Sequence, residues 1–247
     1  MSCLNVVVAG SGSTLHPNRG QTSLLIDAGG SMILIDVGCT ALNTLAKIGY
    51  EVSQISHVFI THGHYDHYCG LPLLLFIKTF MESHPALDVY TVPDARQLIY
   101  STLKGVRGSE WVKWNINIVD PDNRNRINLR DIMLKPFPAK HTIQTASLTL
   151  RYSDVKIVIS SDTRPTEEYK REASSAELAV HEATFPSKML KDAIASKHST
   201  VNEALSQISH AAIGVLYHIS PLAESEAISI KNGKGLIVND GSVIKLC

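Results

Sequence analysis

The chain has no excess of charge: across its 247 residues, 23 Lys and Arg face 23 Asp and Glu. A balanced chain has no global field that draws it to nucleic acid or an anionic membrane, so such a contact would have to come from a local patch. Cysteine is scarce, with Cys3, Cys39, Cys69 and Cys247 scattered and no C-x-x-C pair among them. At that spacing, in a chain of this size, they read as free thiols in a reducing compartment. Long apolar runs are missing too. The longest, "GLPLLLFI", falls far short of the ~20 residues needed to span a membrane. The opening "MSCLNVVVAGSG" has no basic segment followed by a long apolar one, so it reads as a first strand and not as a leader. These absences point to the cytoplasm. No repeat, low-complexity tract or Pro/Gly-rich linker interrupts the sequence, and residues 1–247 read as one domain able to bury a sizeable core.

What is present alternates between strand and helix signals. "LNVVVAG" is a short apolar run ending at glycine. "TSLLIDAGGSMILIDVG" reads as a hairpin turning at Gly29 and Gly30. "TALNTLAKIGY" has helical spacing and a glycine stop. "ISHVFIT" reads as a buried strand, "LPLLLFIKTFMES" as a helix, "ALDVYTV" as a strand, and "DARQLIYSTLKG" as a helix capped by Asp94. The polar residues 120–131 read as a loop. Further strands are expected at "NINIVD", "DIMLKPFPA", "ASLTLRYS", "VKIVISS", "AELAVHEA" and "IGVLYHIS". Helices are expected after Pro165 and at "STVNEALSQISHA". "GLIVND" and "SVIKL" read as a closing hairpin. Each half offers strands first and then strands mixed with helices, which suits two sheets packed face to face with helices outside.

The chemistry is concentrated in "FITHGHYDHYCG", residues 59–70. His62, His64, Asp66 and His67 fall within six positions, just past an apolar strand, where a rigid scaffold can hold a functional loop. Neutral imidazoles and a carboxylate at this spacing mark a metal site. Gly63 lets the chain turn between two imidazoles. Further ligands are expected at other strand ends, and His141, Asp162 and His218 each come directly after an apolar strand.

Together these residues resemble the metallo-β-lactamase fold superfamily, whose H-x-H-x-D-H signature matches positions 62–67. The resemblance runs over essentially the whole chain and implies an α/β fold, an αββα four-layer sandwich with its site at one edge. Within it the chain is most similar to the ribonuclease Z-like branch. "HEATF", "KHSTVNEA", "LYHISP" and "HPNRGQTSLLI" carry that likeness. The resemblance implies that His62, His64 and His141 hold one divalent ion and that Asp66, His67 and His218 hold another, with Asp162 bridging. It also implies that His181 binds the scissile phosphate and protonates the leaving oxygen, oriented by Glu182. Two ions ~3.5–4 Å apart suit a bridging hydroxide attacking a phosphodiester, with Asp66 orienting it. Zinc is favoured, and manganese or iron would also suit the ligands. The implied substrate is RNA or a small or cyclic nucleotide, with no membrane partner and with a homodimer compatible with the family. A lactonase, thioesterase or arylsulfatase of the same fold is the alternative, and a non-catalytic metal-binding scaffold a third reading.

Two features depart from that branch. The flexible arm that grips tRNA is missing, because only residues 142–161 lie between His141 and Asp162, and two strands fill them. Ser161 stands where a glycine usually precedes the bridging aspartate. The segment "KGVRGSEWVKW" is a small basic and aromatic patch that could contact a nucleotide, or a surface loop with buried tryptophans. His198 opens the H-S-T segment and is a candidate to support a ligand from behind, and Ser199 and Thr200 are candidate helix caps. His16, His57, His84 and His210 have no motif around them.

Overall fold

A computed structural model describes residues 3–230 and 235–247. The chain opens with an antiparallel meander of β1 (Leu4–Gly10), β2 (Ser23–Asp27) and β3 (Met32–Ile35). Gly29 and Gly30 turn the β2–β3 hairpin at φ 67° and 121°, where a β-carbon would be strained. Strand–helix–strand winding continues through α1 (Ala41–Lys47), β4 (His57–Ile60), α2 (Leu71–Thr79), β5 (Leu87–Thr91), α3 (Arg96–Lys104) and β6 (Trp114–Ile118). That part of the sheet is parallel from β3 to β6.

The second half repeats the plan. β7 (Ile127–Leu129), β8 (Ile132–Pro138), β9 (Ala146–Tyr152) and β10 (Val155–Ile159) form an antiparallel meander. Then come α4 (Glu167–Ala173), β11 (Leu178–Glu182), α5 (Leu190–Ser196), α6 (Val201–Ile208), β12 (Ile213–Tyr217), α7 (Glu224–Ile228) and β13 (Gly235–Ile237), with β10 to β13 parallel. β14 (Val243–Leu246) returns to pair antiparallel with β1. Two seven-stranded sheets result, ordered β14-β1-β2-β3-β4-β5-β6 and β13-β12-β11-β10-β9-β8-β7. The expected sandwich of two sheets with flanking helices is therefore the observed architecture.

The larger core fills the space between the sheets and under α1, α2 and α3, with Leu25, Leu34, Phe59, Leu148 and Ile157 fully buried. A smaller one, built on Tyr169, Val201, Ile208 and Leu216, lies between the second sheet and α4 and α6. Every residue of β10 and β11 is buried, as befits parallel strands covered on both faces. No helix among the described residues is long and apolar enough to cross a membrane.

Several expectations change. The two last strands do not form a hairpin: β13 extends the second sheet and β14 closes the first. The turn between them is held by Asp240, which accepts from the backbone of Ser11 and Gly20 at 2.8 and 2.6 Å. The polar stretch 120–131 contains the short strand β7, and α5 and α7 have no counterpart among the expected helices. Asp94 lies in a turn before α3, whose cap is Ala95. The cysteines are not free thiols: Cys3 pairs with Cys247 and Cys39 with Cys69. Pairing of β1 with β14 makes neighbours of residues 3 and 247, which no spacing along the chain discloses. With all four cysteines paired, they no longer point to a reducing compartment.

Lys78 of α2 is wholly buried and donates to the Ser53 carbonyl at 2.8 Å. Burial lowers its pKa to about 8. An unfolded lysine stays protonated up to about 10.4, so between those values the unfolded chain binds more protons and stability rises with pH. Urea titrations from pH 7 to 10.5 should show wild-type stability gaining roughly 2–3 kcal/mol relative to Lys78→Met. Parallel pH profiles for the two proteins would show that Lys78 carries no such penalty.

Candidate metal centre

The metal-capable residues come together from strand ends of both sheets. His62, His64, Asp66 and His67 follow β4, His141 follows β8, Asp162 follows β10 and His218 follows β12. Three overlapping groups form with all ligand atoms of each within 4.8 Å of one another: His62, His64, His141 and Asp162; Asp66, His67 and His218; and Asp162, His198 and His218. In the first, His62 Nε2 lies 3.0 Å and His141 Nε2 3.1 Å from His64 Nδ1. Nitrogens around one tetrahedral ion with ~2.0–2.1 Å bonds sit about 3.3 Å apart, so this is the spacing of a cradle. Asp162 Oδ2 lies 3.6 Å from His62 and 3.4 Å from His67, and its Oδ1 lies 3.4 Å from His218 Nε2. One carboxylate thus touches members of the first two groups.

Hydrogen-bond accounting fixes which nitrogens are free. Thr61 Oγ1 donates to Asp36 and accepts from Ser161, so His62 Nδ1, at 3.1 Å, must be its second donor. His67 Nδ1 donates to Asp36 Oδ2 at 2.8 Å. His141 Nδ1 donates to the Lys197 carbonyl at 3.1 Å. Thr184 Oγ1 donates to Glu182, so His218 Nδ1 donates to Thr184 at 2.8 Å. Each of these rings therefore turns an Nε2 lone pair into the cluster. His67 Nε2, His218 Nε2 and Asp162 Oδ1 are buried with no hydrogen-bond partner. Buried polar atoms are rarely left so, and three lone pairs facing one another fit a divalent cation.

Burial, the largest influence on His62, His64 and His141, lowers their pKa values and keeps the rings neutral. For His67, burial is outweighed by Asp162 and Asp36, which hold its pKa well above the ordinary range, so a cation bound there would displace the proton from Nε2. Burial would raise the Asp66 carboxyl, but His218, His67 and Thr14 hold it below its usual range. Thr14 Oγ1 donates to Asp66 Oδ2 at 2.6 Å.

His181 is not brought to this cluster. His181 and Glu182 are successive on β11, so their side chains leave opposite faces of the sheet. Glu182 faces the site, accepting from the Thr163 amide at 2.8 Å and Thr184 Oγ1 at 2.6 Å. His181 faces the helices, with no exposure, its ring edge-on to Tyr169 at 4.7 Å. The histidine beside the metal residues is His198, whose Nδ1 donates to Glu182 Oε1 at 2.9 Å and lies 4.0 Å from Asp162. Burial opposes its protonation, but Glu182 and Asp162 together push its pKa up to about 9. Arg164 fixes the His198 carbonyl at 2.6 Å and pairs with Glu203, whose carboxylate completes a capping box with Thr200 at the start of α6.

Three supporting residues escape a reading of the sequence. Asp36, just past β3, accepts from the Thr61 amide and hydroxyl and from His67. It comes after a buried strand as the ligands do, and that position was the available signal. Thr14 stands in the N-terminal loop, braced by buried Arg19, which bonds Ser11, Glu224 and the Val238 carbonyl. Lys197 clasps His141 reciprocally, its Nζ donating to the His141 carbonyl at 3.1 Å. Ser161 has φ 54°, which explains why glycine suits the position; its hydroxyl holds Thr61 at 2.7 Å.

The cluster forms the floor of an open cavity of about 520 Å³, walled by His198, Gln21, Tyr65 and the Cys39–Cys69 bridge. A family model described as "Anti-Pycsar protein Apyc1" matches residues 4–243. A ribonuclease Z of Thermococcus sibiricus is 27% identical, over 98% of this chain and 96% of its own. Their alignment spans 297 positions, so the relative carries residues this chain lacks. The metallo-β-lactamase fold protein YhfI of Bacillus subtilis superimposes with a TM-score of 0.84 at 19% identity, over 99% of this chain and all of that one. The short form of human tRNase Z superimposes with a TM-score of 0.83 at 23% identity, over 97% and 98%. The fold is therefore the metallo-β-lactamase fold.

Hydrogen-bond partners behind metal ligands typically contribute 10–100-fold in affinity. Asp36→Ala should weaken divalent-ion binding by about that factor, measured by competition with a chromophoric chelator. An unchanged affinity would deny Asp36 its orienting role.

Proposed function

The chain belongs to the family described as Anti-Pycsar protein Apyc1, and on that footing we propose that it is a binuclear-metal phosphodiesterase of the ribonuclease Z-like kind. The observation that carries this reading is Asp162, a buried carboxylate within 3.6 Å of His62 in one set of metal-capable side chains and of His67 and His218 in the other. His62, His64 and His141 would hold one divalent ion and Asp66, His67 and His218 a second, with Asp162 in reach of both. Zinc fits this imidazole-rich set, and manganese or iron would also be accepted. Bound ions supply a Lewis acid for phosphoryl oxygens and lower the pKa of water towards ~7.

The protein's own groups supply the rest. Asp66, braced by Thr14, orients the attacking water. Attack forms the new P–O bond as the bond to the leaving oxygen breaks. His198 delivers its proton to that oxygen, and Glu182 holds the ring through Nδ1. This assignment replaces His181, whose buried place behind the sheet supports a structural role. A leaving-group acid favours phosphodiesters over the lactones, thioesters or sulfate esters hydrolysed elsewhere on this fold. The missing arm and balanced charge favour a small phosphodiester, such as a small or cyclic nucleotide or an unstructured RNA end, over folded tRNA. A homodimer belongs to the same reading, supported by the exposed apolar stripe of Leu73, Phe76 and Phe80 along α2 and just beyond its end.

Nitrophenolate leaves without a proton, whereas a nucleoside alkoxide needs one. His198→Ala should therefore lose about 10²–10⁴-fold in kcat on a nucleotide diester and far less on bis-p-nitrophenyl phosphate. Equal losses on both would sink the acid role. His181→Ala should lower thermal stability without changing that ratio. Elemental analysis of metal-loaded protein should give about two ions per chain, and a single ion would overturn the binuclear assignment.

A further inference from the structure

The basic and aromatic segment "KGVRGSEWVKW" takes no part in the metal centre. It runs from the end of α3, through Gly108, and back into β6, the edge strand of the first sheet. Trp111 is 60% exposed, against the expectation of buried tryptophans. Trp114 is half-buried and lies against α3, with its indole fixed by donation to the Ser109 carbonyl at 3.1 Å. Arg96, Tyr100 and Lys104 recur at every fourth position, so they form one stripe along α3. That stripe and the β6 edge enclose a groove of about 630 Å³, lined also by Trp114 and Asn117. The Tyr100 and Trp114 rings stand 5.8 Å apart at 54°.

The groove's charges are not used up in ion pairs. Among the described residues, the Arg and Lys ion pairs are those of Arg19, Arg124, Lys135, Lys156, Arg164 and Arg171, all away from the groove. Eight residues of helix set Arg96 and Lys104 about 12 Å apart along the axis, one on each side of the aromatic pair. Arg107 and Lys113 add further positive charge in the connection, against Glu110 alone. A ligand complementary to this has a flat ring in the middle and an anionic group at either end. Aromatic side chains accept any base by stacking, and cations track the backbone.

We propose that the α3–β6 groove binds single-stranded nucleic acid, one base lying against Tyr100 and Trp114 and the flanking phosphates on Arg96 and Lys104. The Arg96 end is close to the metal loop, because Ala95 and Leu98 pack against Gly63, where a β-carbon would sit 3.5 and 3.6 Å from them. A bound strand can thus extend towards the site without entering it. Binding needs no metal chemistry, so it stands or falls separately from the hydrolysis proposed above.

The test is fluorescence anisotropy of labelled 2′-O-methyl hexauridylate with metal-loaded protein at 25–200 mM salt. Two phosphate contacts give a slope of about −1.4 in log K against log salt, at ~0.7 per contact on a single strand. Lys104→Gln should halve the slope, and Tyr100→Ala should weaken binding about tenfold. Both variants should hydrolyse bis-p-nitrophenyl phosphate as wild type does, which also reports that they are folded. The inference is overturned by no binding at 25 mM salt, or by both variants binding as tightly as wild type, which would place the strand in the metal cavity. It is equally overturned if two copies join along the β6 edge and hexauridylate fails to separate them.

Discussion

The structure depends on one buried carboxylate. Asp162 is 2% exposed and faces His62, His67 and His218 within 3.6 Å. A carboxylate so enclosed is stable only as part of a charge-balanced cluster, since desolvation alone would drive it to protonate. The imidazoles around it are in turn fixed by partners on their other nitrogens. The cluster is therefore a network in which each member is satisfied only if the next is in place. Such networks gain more from completeness than pairwise deletions suggest.

Backbone geometry contributes to this arrangement. Asp36, Ser161 and His218 each lie just past a strand and each has φ between 52° and 56°, a region that costs non-glycine residues of order 1–3 kcal/mol. In each case the turn aims a functional group at the cluster: Asp36 at His67, Ser161 at Thr61, His218 at Asp162. Glycine at 161 would relax the backbone and lose the hydroxyl that holds Thr61. The departure from the family pattern at this position is thus one local solution exchanged for another.

Much of this was legible in the sequence. The loop 62–67 identifies itself, and His141, Asp162 and His218 stand out as metal-capable residues at the ends of apolar strands. The alternation of signals in each half gives two sheets. Other features were out of reach for physical reasons. β11 is buried on both faces, so no polar and apolar alternation tells which of His181 and Glu182 looks into the site. The pairing of β1 with β14, and with it the Cys3–Cys247 bridge, is a contact between chain ends that no local pattern encodes. Two short strands separated by a turn normally suggest a hairpin, but β13 and β14 lie on opposite sides of the sandwich, and tertiary pairing overrides the local signal.

The placement of the metal-capable residues joins the two halves. Two of the groups take side chains from both: His62 and His64 meet His141 and Asp162, while Asp66 and His67 meet His218. The halves also touch through Ser161 and Thr61, and the Ala146 amide donates to the Thr61 carbonyl at 3.1 Å. A cation held between them would be a cross-link whose binding free energy adds to the stability of the folded state. The cavity over this seam is walled by His198, Tyr65 and Gln21. Residues that follow strands of both sheets make its floor, and the surrounding loops complete its walls.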